Sequence, residues 1–299
     1  MRVLLAFCLL SGVILAQTFS DTEKAWRQER EASLKSESGW LNLAGLFWLD
    51  EGTYSFGSGS DADITLPPFA SVEKAGLFEV QGDCVHYKMA RAQPGYLNGK
   101  LMPQGVLTLG AGDHAEPDVL AYHNLRMFLI KRDGQLGLRV RDLKSQRITA
   151  FKGLSYFPPR PKYKVKATLH LFDEPKKVFL ATVIGTETTG MSPGILKFTL
   201  KGVECQLLPL SLGTNDQRLF ILFTDQTTGM STYSAGRFLY ADKLEEGVYE
   251  LNFNRAINPP CAFTPYATCP MPPDENALGV AVKAGEKIYL AGSSYKKSG

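Results

Sequence analysis

The stretch from Asn254 to Asn276 gathers amides, a guanidinium, thiols and a phenol within a short span: Asn254, Arg255, Asn258, Cys261, Tyr266, Cys269 and Asn276. Amides and guanidinium groups grip polar or anionic ligands, while thiols serve as nucleophiles, metal ligands or disulfide partners. Six residues between 259 and 273 are proline, so most of the stretch cannot run as helix or strand. A long irregular segment inside a compact domain is uncommon and often functional. With Arg237 upstream, the expected ligand set is Arg237, Asn254, Arg255, Asn258, Tyr266 and Asn276. A second reading stands beside it: the Asn side chains cap the backbone of a proline-rich loop, and Cys261 and Cys269 close it as a disulfide. A structural zinc site wants four ligands and nothing nearby completes the set, so no metal is expected.

Elsewhere the chemistry is thinner. Gly190-Met191-Ser192-Pro193-Gly194 has the spacing of a nucleophile elbow, but alternation from Leu196 to Leu200 follows directly where a helix should, so a turn is expected. His170 alternates with apolar residues and is read as solvent-facing; His86, His114 and His123 have no identifiable partner. Cys84 and Cys205 sit in strand-like runs and are read as small buried hydrophobes. No nucleotide loop is present, and no cofactor is expected.

These residues must be positioned mainly by strands. One helix is expected at Asp21 to about Lys35, capped by Ser20 or Asp21, with Glu23 placed as in a capping box and Trp26 and Leu34 anchoring it. After it the period becomes two. Leu196, Phe198 and Leu200 alternate with polar residues, Lys201-Gly202 turns the chain, and Val203, Cys205 and Leu207 alternate again. Leu136, Leu138 and Val140 repeat the pattern after Arg132-Asp133-Gly134, and Leu219–Phe223 is apolar throughout, as in a strand buried on both faces. Prolines at 158, 159 and 161 mark a boundary. The division is a leader over 1–16, a helix over 21–35, a β-sandwich over 39–156 and a C-terminal β domain over 162–299.

Composition limits the partners. The 299 residues carry a formal charge of +3 with no run of five like charges, so nucleic acid is not an expected partner. Met1-Arg2 followed by an apolar run ending at Ala16 reads as a cleaved leader, too short to span a bilayer stably. The mature protein is expected in the periplasm or outside the cell.

Two resemblances follow from the motifs. Gly52-Thr53-Tyr54-Ser55-Phe56-Gly57-Ser58-Gly59 through Pro67, with Leu97-Asn98-Gly99 and Gly105–Gly110, resembles a forkhead-associated domain, a β-sandwich that reads phosphothreonine. Ser58 stands where that family carries its phosphate-gripping Arg, so phosphothreonine peptides are not expected to bind. Trp26–Arg30, Gly153–Pro158, Gly236–Tyr240 and Asn254–Phe263, running on to Lys287, together resemble the bacterial and archaeal domain-of-unknown-function family 1684. That resemblance implies a fold and a site but no activity. Asn252 and Ile257 depart from the Asp and Tyr usual there.

The fold expected is mainly β: an N-terminal helix, a forkhead-associated-like sandwich and a second antiparallel domain with a proline-rich loop. Two classes of function remain, an exported module binding a small polar ligand, or a hydrolase using Cys261 or a His with Arg237 or Arg255 stabilising negative charge. The leader reading has its own test: N-terminal sequencing of exported protein should start near Gln17, and recovery of Met1 would contradict it.

Overall fold

The computed structural model of the chain describes residues 18–68, 70–110, 116–213 and 217–290. The leader and His114 lie outside them. The fold is mainly β, with an N-terminal helix, as its periodicity implies.

The helix runs Phe19–Lys35. It starts two residues before the expected Asp21 because Thr18 is the cap, its Oγ1 accepting from the Asp21 N–H at 3.2 Å. Glu23 takes no part in a capping box. It is 1% exposed and faces the body of the protein.

The first β body is built from two sheets. One has the order Leu43–Leu49, Gln135–Asp142, Leu125–Arg132, Val119–Tyr122, Tyr96–Leu97, Lys100–Leu101. The other has the order Ile64–Thr65, Gly52–Gly57, Gly76–Gln81, Cys84–Met89, Gln104–Leu107. Leu129, Leu138 and Val140 from the first meet Phe56, Phe78 and Val85 from the second in one buried core. Asp133 and Gly134, at φ 51° and 83°, make the two-residue hairpin turn whose twist suits the strands they join.

The second body is one sheet in the order Val203–Leu207, Glu187–Leu200, Lys164–Ala181, Val248–Asn252, Arg237–Glu245, Arg218–Asp225, Leu210–Ser211, with Ala277–Leu278 pairing parallel to Arg218–Asp225. The expected hairpin at Lys201-Gly202 is present. Ser192, expected in a turn, lies within the strand Glu187–Leu200, fully buried, with its Oγ donating to the Gly194 carbonyl at 3.0 Å. The strand pairing shifts register there, which accommodates the Ser-Pro pair without ending the strand. Cys84 and Cys205 are only half-buried, the first opening its strand and the second at the middle of the edge strand Val203–Leu207.

The helix is tied to the C-terminal segment by buried charge. Arg30 Nε donates to Glu286 Oε1 at 2.9 Å, and the Asn258 N–H donates to Glu286 Oε2 at 2.7 Å. Glu23 accepts from Asn252 Nδ2 at 2.9 Å and from Arg255 Nε at 3.2 Å. Arg27 donates to the Phe157 carbonyl, and Glu31 accepts from the Leu154 N–H. Gly285, at φ +76°, admits this closeness, since a Cβ there would lie 2.5 Å from the Ala256 carbonyl oxygen.

Glu286 is completely buried, and burial pushes its carboxyl above the ordinary value against the opposing pull of Arg30 and the Asn258 N–H. The folded chain therefore retains a proton at pH values where the unfolded chain has released it. The stability from this group is complete below the ordinary carboxylate pKa and lost as pH rises through the folded one. Arg30→Ala should destabilise the fold most at pH values where Glu286 is ionised, by leaving the carboxylate without its cation, and least in acid, where Glu286 is protonated. Denaturant midpoints against pH, with Glu286→Gln as the non-titrating comparator, check this; a pH-independent loss would contradict it.

Candidate functional site

The expected ligand residues are mostly spent on holding backbone. Arg237, 1% exposed, pairs with Asp225 Oδ2 at 2.8 Å and donates to the carbonyls of Val282 and Ala284. Asn254 accepts from the Arg160 N–H and returns a bond to the Arg160 carbonyl. Asn276 accepts from the Leu208 N–H at 2.6 Å and donates to the carbonyls of Leu208 and Leu222. Asn258 donates to the Lys287 carbonyl at 2.8 Å. Arg255 is paired with Glu23 and lies over the Trp26 ring, and half-exposed Tyr266 lies under Arg147. Asn254, Asn258 and Asn276 have no exposed surface, so a ligand reaching them would have to replace these bonds. Asn252 also finds its reason here: an Asp would set a second carboxylate against buried Glu23, whereas the amide donates to it.

Cys261 and Cys269 are free thiols that lie together, with the Cys261 N–H donating to Cys269 Sγ at 3.1 Å. A hydrogen bond from the Cys269 thiol, with another from Tyr233, holds the Cys261 thiol below its ordinary pKa. Its neighbour is driven the other way, first by that same hydrogen bond and then by burial. Neither Tyr233 nor Cys269 is a base at neutral pH, so the pair has an ionisable thiol without a histidine to relay its proton. Among the described residues, no cluster of three His, Cys, Asp or Glu is placed to hold a metal ion.

A cavity of about 330 Å³ lies where the first β body meets the proline-rich segment. Trp40 and Arg139 line it from the first body; Leu180, Thr182, Leu210, Phe220 and Phe238 line it from the second; Pro260, Ala267, Cys269 and Pro270 close it. Arg139 is 7% exposed. Among the described residues its guanidinium has no carboxylate partner and no hydrogen bond, and its Nε is buried with nothing to donate to. It lies over the Trp40 ring at 5.7 Å. Burial, reinforced by Arg132 and Arg141, lowers its pKa to about 10, so it stays charged at neutral pH.

Sequence reading missed Arg139 although its signal was present. Leu136, Leu138 and Val140 face the sandwich core, so alternation sends Arg139 to the opposite face. That face would be solvent in an isolated sandwich, and here the second body covers it.

Through residues 149–287 the chain belongs to the family described as "Protein of unknown function (DUF1684)". An uncharacterised protein of Haloarcula marismortui, solved by solution NMR, is 35% identical, with 46% of this chain and 78% of that one covered at a TM-score of 0.40. The forkhead-associated domain of FhaA, solved in complex with the intracellular domain of Rv3910, is 15% identical over 31% of this chain and 96% of its own, at a TM-score of 0.22. That of the CT664 protein of Chlamydia trachomatis is 18% identical over 31% and 92%, also at 0.22. No curated protein matches the chain. No helix among the described residues is long and apolar enough to cross a membrane.

The two thiols should differ in reactivity. In limiting iodoacetamide at neutral pH, peptide mass spectrometry should find Cys261 alkylated well before Cys269, because the thiolate is the reacting species. Tyr233→Phe removes one hydrogen bond to Cys261 and should slow it several-fold. Equal rates at both cysteines, or no effect of Tyr233→Phe, would be inconsistent with this geometry.

Proposed function

We propose that the protein is an exported ligand-binding module, with a β-sandwich domain over 39–156 and a second β domain over 162–299 that meet at the Arg139 cavity. The ligand carries an anionic group that the Arg139 guanidinium receives. The site keeps the proline-rich segment as one wall but uses its Cys269 face, away from the amides that hold its backbone.

The observation that supports this reading is the unanswered charge of Arg139. Burying a cation without a partner costs several kcal/mol, roughly, even after relaxation, and buried charges are ordinarily paired. The buried arginine at 237 follows that rule through Asp225. Arg139 opens instead into a space lined by apolar side chains, a thiol and the threonines Thr182, Thr186, Thr188, Thr189 and Thr268, with exposed Arg132 and Asp133 at its edge. A carboxylate or phosphate oxygen there would form charge-assisted bonds in low dielectric, where they are strong. The cost to the free protein is thus the source of affinity for the bound one.

A structural arginine and a binding arginine respond oppositely to removal. Arg139→Met keeps the stem volume and deletes the charge, so the variant should unfold at a higher temperature than the wild type when no anion is added. Acetate, sulfate and inorganic phosphate, tested separately, include at least one that should raise the wild-type melting temperature in a saturable way, and that rise should vanish in Arg139→Met. A variant less stable than wild type, or one that keeps the anion response, would remove the basis of this reading.

A further inference from the structure

We infer that the ligand of this cavity is a small monocarboxylate on an apolar body, a class that rests on the anion-binding reading above. The charge balance comes first. One guanidinium lies deep in the site, whereas the second arginine at its edge, Arg132, is exposed beside the exposed acid Asp133. A monocarboxylate meets Arg139 one charge for one. A phosphate monoester would bring close to two negative charges into a site with one buried cation, and the surplus would remain desolvated and unpaired.

The shape of the donors agrees. Phosphate sites typically present several backbone N–H groups from a helix N-terminus or a glycine-rich turn. No residue of the helix Phe19–Lys35 lines this cavity; its hydroxyls are those of Thr182 and Thr186, which bond each other at 2.9 Å, and of Thr188, Thr189 and Thr268. A guanidinium fork by itself suits the planar pair of carboxylate oxygens.

The remaining wall selects the rest of the molecule. Leu180, Leu210, Phe238 and Ala267 are buried together as a small apolar cluster with Trp40 and Phe220 packed against it. At about 330 Å³ the cavity is near the lower end of ligand-sized pockets. It suits a short aliphatic chain or a single ring. Each methylene of such a chain that becomes buried should tighten binding by about fourfold.

Calorimetric titration of the full-length mature protein with four probes tests the class: octanoate, acetate, 1-octanol and inorganic phosphate. Octanoate should bind at least tenfold more tightly than acetate, through its chain, and than octanol, through its charge, with phosphate weaker than octanoate. Arg139→Met should erase the preference of octanoate over octanol, and Arg139→Lys should keep part of it, because the charge remains without the fork. If phosphate binds most tightly, or if acetate equals octanoate, the carboxylate amphiphile is wrong while an anion site survives. If octanol equals octanoate in the wild type, the cavity is only apolar, and this inference and the anion-binding reading both fall.

Discussion

The C-terminal segment cannot satisfy its own backbone, and the structure is organised around that constraint. Its prolines, together with a path that forms only short turns and the brief strand Ala277–Leu278, leave carbonyl and amide groups that must be met from outside. Buried side chains meet them. Arg237 collects the carbonyls of Val282 and Ala284, Glu286 accepts the Asn258 N–H, and Asn258 donates to the Lys287 carbonyl. The segment's Asn254 and Asn276 in turn hold the backbone of Arg160 and of Leu208 and Leu222. Asp225 neutralises Arg237 and also accepts from the Val282 N–H at 3.0 Å, so one acid supports both the cation and the chain the cation holds.

The N-terminal helix completes the same network from the other side. Glu23, Arg27, Arg30 and Glu31 each reach a group on the C-terminal body or on the connection leading to it. Removing any one leaves a buried polar group in low dielectric, where the penalty exceeds what the bond itself contributes. The helix is therefore a strut, and its charged face is turned inward because the partner charges are there.

Against this background Arg139 stands apart. Elsewhere on the seam between the two bodies the arginines find carbonyls: Arg141 donates to those of Glu37 and Gly39, and Arg147 to that of Leu43. Arg139 is on the same strand as Arg141, two residues earlier and on the same face, yet it meets an aromatic ring and a cavity. The difference is positional: Arg141 reaches the end of the helix, while Arg139 falls beside the gap between sheet and loop. The Cys269 thiol forms part of the opposite wall, with Cys261 behind it, so the cavity joins a fixed charge to a polarisable neighbour.

Local rules made much of the fold legible. Period-two alternation marked the strands at Leu136–Val140 and Leu196–Leu207, Lys201-Gly202 and Asp133-Gly134 fixed hairpins through positive φ, and the charged, apolar-striped run after Thr18 gave the helix. Proline density marked the irregular segment, because proline acts on its own backbone wherever it occurs. The roles within that segment were not legible. The amides that looked like a ligand set turned out to hold carbonyls far away in sequence, and which carbonyl a side chain meets depends on how the sheets pack. Arg139 was invisible for the same reason. Its strand determined which face it occupies, but only the docking of the second body decided that this face would be buried and that no acid would accompany it, since burial and charge pairing arise between segments distant along the chain.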